Sequence, residues 1–78
     1  ARMGIRSSNM HKEVAYKITT YCRHNGLSDL EITQGLRRNH EEIRQQCDIA
    51  ASIGNGDVSL STTIIASDVC KLILSNRS

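Results

Sequence analysis

The sequence predicts a mainly α-helical domain closed by a small C-terminal β-hairpin, on three observations. Two helix starts follow closely on one another, at Ser28-Asp29-Leu30-Glu31 and Asn39-His40-Glu41-Glu42. Apolar residues recur at helical spacing through Ile32, Leu36, Ile43 and Cys47. Beyond Gly54-Asn55-Gly56 the composition turns to β-branched residues in partial alternation, the pattern of short strands.

ARMGIRSS is polar, basic and aperiodic, so residues 1–9 read as a flexible basic arm ahead of a single domain over 10–78. Asn9 can cap a first helix of roughly 10–24, along which Val14, Ile18, Tyr21 and Cys22 form one stripe. Gly26 follows the basic turn of Arg23 and His24 and suits the left-handed residue that ends many helices. Ser28 and Glu31 then make a capping box, with Leu27 and Ile32 placed as a hydrophobic staple around it. The second helix should be short, about 29–37, because Gly35 weakens it and Arg37-Arg38-Asn39 breaks the apolar pattern. Asn39 starts a third helix over about 40–53, with Ile43, Cys47, Ala50 and Ala51 on one face. Two strands around 57–62 and 69–75, joined by the loop TIIASD, complete the expected hairpin. The alternative is an all-α four-helix domain, since Ile65, Val69, Leu72 and Ile73 also fit a helical stripe over about 63–75.

Composition narrows the class. A chain of 78 residues makes one domain, and a core of this size rarely supplies more than about 3–5 kcal/mol. With no Trp, no Phe and only Tyr16 and Tyr21 as aromatics, that core rests on aliphatic residues and cysteine. Ile49, Ile53, Ile64 and Ile65 add more apolar surface than it readily covers, so homodimerisation is expected, through the C-terminal segment first. Cys22, Cys47 and Cys70 are widely spaced and form no zinc pattern, which reads as buried thiols in a reducing cytoplasm with no metal and no cofactor. No run approaches the ~20 apolar residues of a membrane span, and no secretory leader is visible, so the expected setting is cytoplasmic.

The net charge of +2 hides an asymmetry. In residues 1–26, Arg2, Arg6, Lys12, Lys17 and Arg23 face only Glu13, a balance of +4. In residues 27–56, Arg37, Arg38 and Arg44 face Asp29, Glu31, Glu41, Glu42 and Asp48, a balance of −2.

The register Ile32, Leu36, Ile43, Cys47, Ala50, Gly54, together with the stretch KITTYCRHNGLSDLEITQGL, resembles winged helix-turn-helix domains. The resemblance covers about residues 14–60 and is nearest in kind to small bacterial operon regulators of the PapI/FaeA type. It implies a DNA-binding transcriptional regulator whose third helix enters the major groove. On that helix Glu41, Arg44, Gln45, Asp48 and Ser52 fall on the outward arc. Arg44 and Gln45 are suited to guanine and adenine, and Glu41 can accept from cytosine. Arg37, Arg38 and His40 suit phosphates, helped by Arg2 and Arg6 of the arm.

The plain reading of the same charges is a solvated helix face held by local pairs such as Glu41 with Arg44. The alternative function is a protein-interaction module that binds a larger regulator through the third helix without touching DNA, which accommodates the acidic midsection. An enzyme is not expected: no phosphate loop, nucleophile elbow or metal-binding helix pattern is present, and His11, His24 and His40 read as exposed or capping residues.

Overall fold

Each strongly periodic segment is a helix in the computed structural model, which describes residues 2–53 and 58–76, with side chains over 9–53 and 59–76. The order is α1 (Arg2–His24), α2 (Asp29–Arg38), α3 (His40–Ile53) and α4 (Val58–Ser75).

Met10, Val14, Ile18 and Cys22, four residues apart, form a fully covered spine along α1. The helix begins at Arg2, so the backbone of the residues read as an arm continues this element. It ends where Gly26 takes a φ of +84°. The Leu27 amide donates to the Cys22 carbonyl at 3.1 Å and the Gly26 amide to the Arg23 carbonyl at 3.0 Å, the paired bonds of a Schellman motif. Its apolar contact joins Leu27 to Cys22 in the core.

Leu27 then serves the next helix as well. The Ser28 amide donates to Glu31 Oε1 at 2.9 Å and the Glu31 amide to Ser28 Oγ at 3.2 Å, so the capping box forms as its sequence requires. Ile32 is buried opposite Leu27, which closes the staple.

The expected hairpin is not there. Among the described residues there is no strand, and Val58–Ser75 is one uninterrupted helix, as the all-α alternative required. Asp57, the first residue assigned to a strand, lies outside the described residues. The reason is visible in which residues are covered: Thr62, Ile65, Ala66, Val69, Cys70 and Ile73. Odd and even positions share one face here, which a strand of period two would split between opposite faces. β-Branched residues prefer strands only weakly and yield to such packing. Thr63 to Asp68, read as a loop, contains neither Gly nor Pro to turn the chain. Leu72, assigned to the helical stripe, is instead 43% exposed.

The largest interface lies between α1 and α4, followed by that between α1 and α3, while α2 packs more lightly. Gly35 is the point at which α2 meets α4. A Cβ there would lie 2.9 Å from Cγ1, Cγ2 and Cδ1 of Ile73, so only glycine permits this approach.

Two substitutions test these turns and contacts. Gly26→Ala should lower stability by about 1–2 kcal/mol, the cost of a left-handed residue carrying Cβ. Gly35→Ala should also destabilise, because roughly 1–3 kcal/mol of overpacking exceeds the roughly 1 kcal/mol of helix propensity gained. Urea denaturation followed by circular dichroism measures both; a stabilised Gly35→Ala protein would show that Ile73 gives way.

Candidate functional site

The residues singled out from the sequence are exposed positions at the end of α2 and along α3. Arg37 and Arg38 form the basic last turn of α2, and both are exposed. One residue, Asn39, separates the two helices. Its backbone N–H donates to the Gly35 carbonyl at 3.1 Å and its side-chain Nδ2 to the same oxygen at 2.8 Å. Its own carbonyl accepts from the Ile43 amide at 2.9 Å, so Asn39 closes α2 and opens α3 at once. Helix-turn-helix units ordinarily use a turn of about 3–4 residues.

On α3, His40, Glu41, Arg44, Gln45 and Asp48 are all exposed, opposite the buried Ile43, Cys47 and Ala51. The outward arc is therefore placed as its spacing implied. Arg44 on this arc is paired locally, its Nη2 lying 3.6 Å from Glu41 Oε2, and elsewhere on α3 Gln46 Nε2 donates to Glu42 Oε2 at 2.9 Å. Both Arg44 and Glu41 are more than half exposed, which limits the pair to the small stabilisation of surface ion pairs. The wing that would press beside such a helix on DNA is replaced by α4.

Apolar exposure is a second feature, carried by α3 and α4. Ile49 and Ile53 on α3 are 56% and 64% exposed, and Leu60 and Ile64 on α4 are 59% and 54% exposed. Each pair is spaced four apart and so lies along one side of its helix. Ile65, grouped with these residues from the sequence, is buried instead.

Sequence reasoning missed a polar node inside the largest interface. Lys17 Nζ donates to Thr62 Oγ1 at 2.8 Å, Thr63 Oγ1 at 2.9 Å and the Ser59 carbonyl at 3.0 Å. Glu13 Oε2 lies 3.3 Å from the same ammonium and 2.9 Å from the hydroxyl of Thr62, which is fully buried. In the sequence Lys17 is one charge of a basic half. The i,i+4 spacing of Glu13 and Lys17 was a usable signal, but their partners are more than forty residues away.

Among the described residues no three His, Cys, Asp or Glu side chains gather as metal ligands, and no helix is long and apolar enough to cross a membrane. His24 and His40 are exposed, whereas His11 is half-buried, with Nε2 enclosed and without a hydrogen-bond partner. Burial, reinforced by Asp48, pushes the Cys47 thiol up to about 11. A cavity of about 210 Å³ lies between α2 and the end of α4, with Arg38, Asn39, Glu31 and Ile73 in its wall. No family model, curated protein or solved structure matches the chain.

Thr62→Val removes a hydroxyl that Lys17 and Glu13 both use, and should cost about 1–3 kcal/mol in chemical denaturation. The Cys47 proton is held more tightly in the folded chain than at the ordinary thiol value of 9.0. Its contribution is therefore fully present below pH 9 and is lost as the pH rises toward 11. Over that window the denaturation midpoint should fall more steeply for the parent protein than for Cys47→Ala.

Proposed function

We propose that this domain is a protein-interaction module, an accessory factor that binds a larger regulator through α3. The observation that carries the reading is Ile49 and Ile53, both more than half exposed and four residues apart on α3. Such an i,i+4 apolar pair is the form in which a helix anchors in the groove of another protein. Exposed apolar surface of this kind commonly marks association, and the charged arc of Glu41, Arg44 and Asp48 beside it can supply specificity.

DNA binding is the second reading. It is favoured by the exposure of Arg37, Arg38, His40 and Gln45 around the α2–α3 junction. Against it stand the −2 balance of residues 27–56, the local engagement of Arg44 by Glu41, and a junction one residue long. Repulsion from phosphates by an acidic midsection weakens the sequence-independent part of duplex affinity, on which specific binding builds. Neither reading assigns the domain a cofactor or a catalytic step, and both are compatible with a cytoplasmic setting.

Self-association would use the other exposed pair, with Leu60 and Ile64 of α4 as the apolar contact of a homodimer.

Replacing Ile49 and Ile53 together by Glu should abolish capture of a stoichiometric protein partner from cell extract while leaving the thermal midpoint within a few degrees. Arg44→Ala should change stability by less than about 1 kcal/mol, as an exposed pair. Duplex DNA at low salt should then show no binding that responds to Arg38 or Arg44. Salt-sensitive DNA binding lost on Arg38→Ala and Arg44→Ala, with capture unaffected by the Ile substitutions, would reverse the order of the two readings. Light scattering at micromolar concentration decides the dimer: a mass that halves on Leu60→Glu supports it, and a monomeric parent protein removes it.

A further inference from the structure

The three cysteines, read from the sequence as scattered, are not equivalent in space. Cys22 on α1 and Cys70 on α4 are 48 positions apart in the chain, yet the Cys22 thiol donates to Cys70 Sγ at 3.8 Å. Both are covered, Cys22 completely and Cys70 to all but 5%. Cys70 also forms part of the floor of a groove of about 480 Å³ between the end of α1 and α4, whose rim carries His24 and Lys71. Cys47, equally buried, lines none of this groove.

We propose that Cys22 and Cys70 are a dithiol modification site, which a peroxide converts into a disulfide joining α1 to α4. The division of labour follows from the surroundings. Cys70 lines the groove, whereas Cys22 is fully covered and donates its hydrogen bond to Cys70 Sγ, so a small peroxide entering by the groove meets Cys70 first. Burial pushes the Cys22 thiol up to about 12, so it keeps its proton and serves as the resolving partner. The Cys70 thiolate attacks one peroxide oxygen, the O–O bond breaks, and hydroxide leaves with the bonding pair, taking up the proton that Cys70 released to become water. The Cys22 sulfur then attacks the sulfenic sulfur, its proton passes to the departing oxygen, and a second water forms. Two thiols lose two electrons and two protons in all, and one peroxide is reduced to two waters. The sulfurs must close from 3.8 Å to the roughly 2.05 Å of a disulfide.

The test treats the full reduced chain with one equivalent of hydrogen peroxide and maps its thiols under non-reducing conditions. The expected product is a monomer lighter by two hydrogens, with the Cys22 and Cys70 peptides linked and Cys47 still alkylatable. Dithiothreitol should restore it, and Cys47→Ala should behave identically. In Cys22→Ala, provided its circular dichroism remains helical, Cys70 should accumulate as a sulfenic acid trapped by dimedone. Oxidation at Cys47 first, disulfides between chains, or an unreacted folded chain whose urea-unfolded form does react would each overturn the proposal.

Discussion

Everything else in this domain leans on the seam between α1 and α4. The first and fourth helices face each other through Met10, Val14, Ile18 and Cys22 on one side and Ile65, Ala66, Val69, Cys70 and Ile73 on the other. Aliphatic residues fill such a seam without fixing its register, since one turn of slippage still meets apolar surface. The Lys17 node supplies the missing specificity: a cation, a carboxylate and a buried hydroxyl are satisfied together only when Thr62 lies beside Glu13 and Lys17. A misaligned α4 would leave these groups unpaired, at a cost greater than the apolar contacts saved.

The rest of the core is arranged around that seam. α3 contributes Ile43, Cys47 and Ala51, and α2 contributes Ile32 together with the bare backbone of Gly35. This frugality explains the surface. With buried positions concentrated on α1 and one stripe of α4, the isoleucines at 49, 53 and 64 are left outside. The domain thus keeps its least polar material at the edge of α3 and at the outer face of α4.

Local sequence signals proved the easiest to read. The stop at Gly26, the capping box at Ser28 and the outward arc of α3 each depend on residues within one turn of each other, and each stands where its pattern placed it. In the C-terminal segment two signals conflict: β-branched composition points to strands, whereas Thr62, Ile65, Ala66 and Val69 mix odd and even positions and share a face only in a helix. With the hairpin gone, the resemblance to winged regulators loses the element that distinguishes them. The tertiary meetings were not legible at all. Nothing near Lys17 announces Thr62, nothing near Cys22 announces Cys70, and Gly35 looks like a mere helix weakener until Ile73 is placed over it.

The pairing of first and last helices also orders the events by which the chain becomes a structure. Among the described helices, α1 is made before α4, which supplies its largest interface, so its spine is uncovered until α4 follows. Without α4, α1 has only α2 and α3 to pack against, which leaves an open apolar face. Chains in this condition are the ones that chaperones and neighbouring nascent chains engage. The loop that this docking must close spans most of the domain, so the α1–α4 contact carries a larger loop-closure cost than any contact between neighbouring helices.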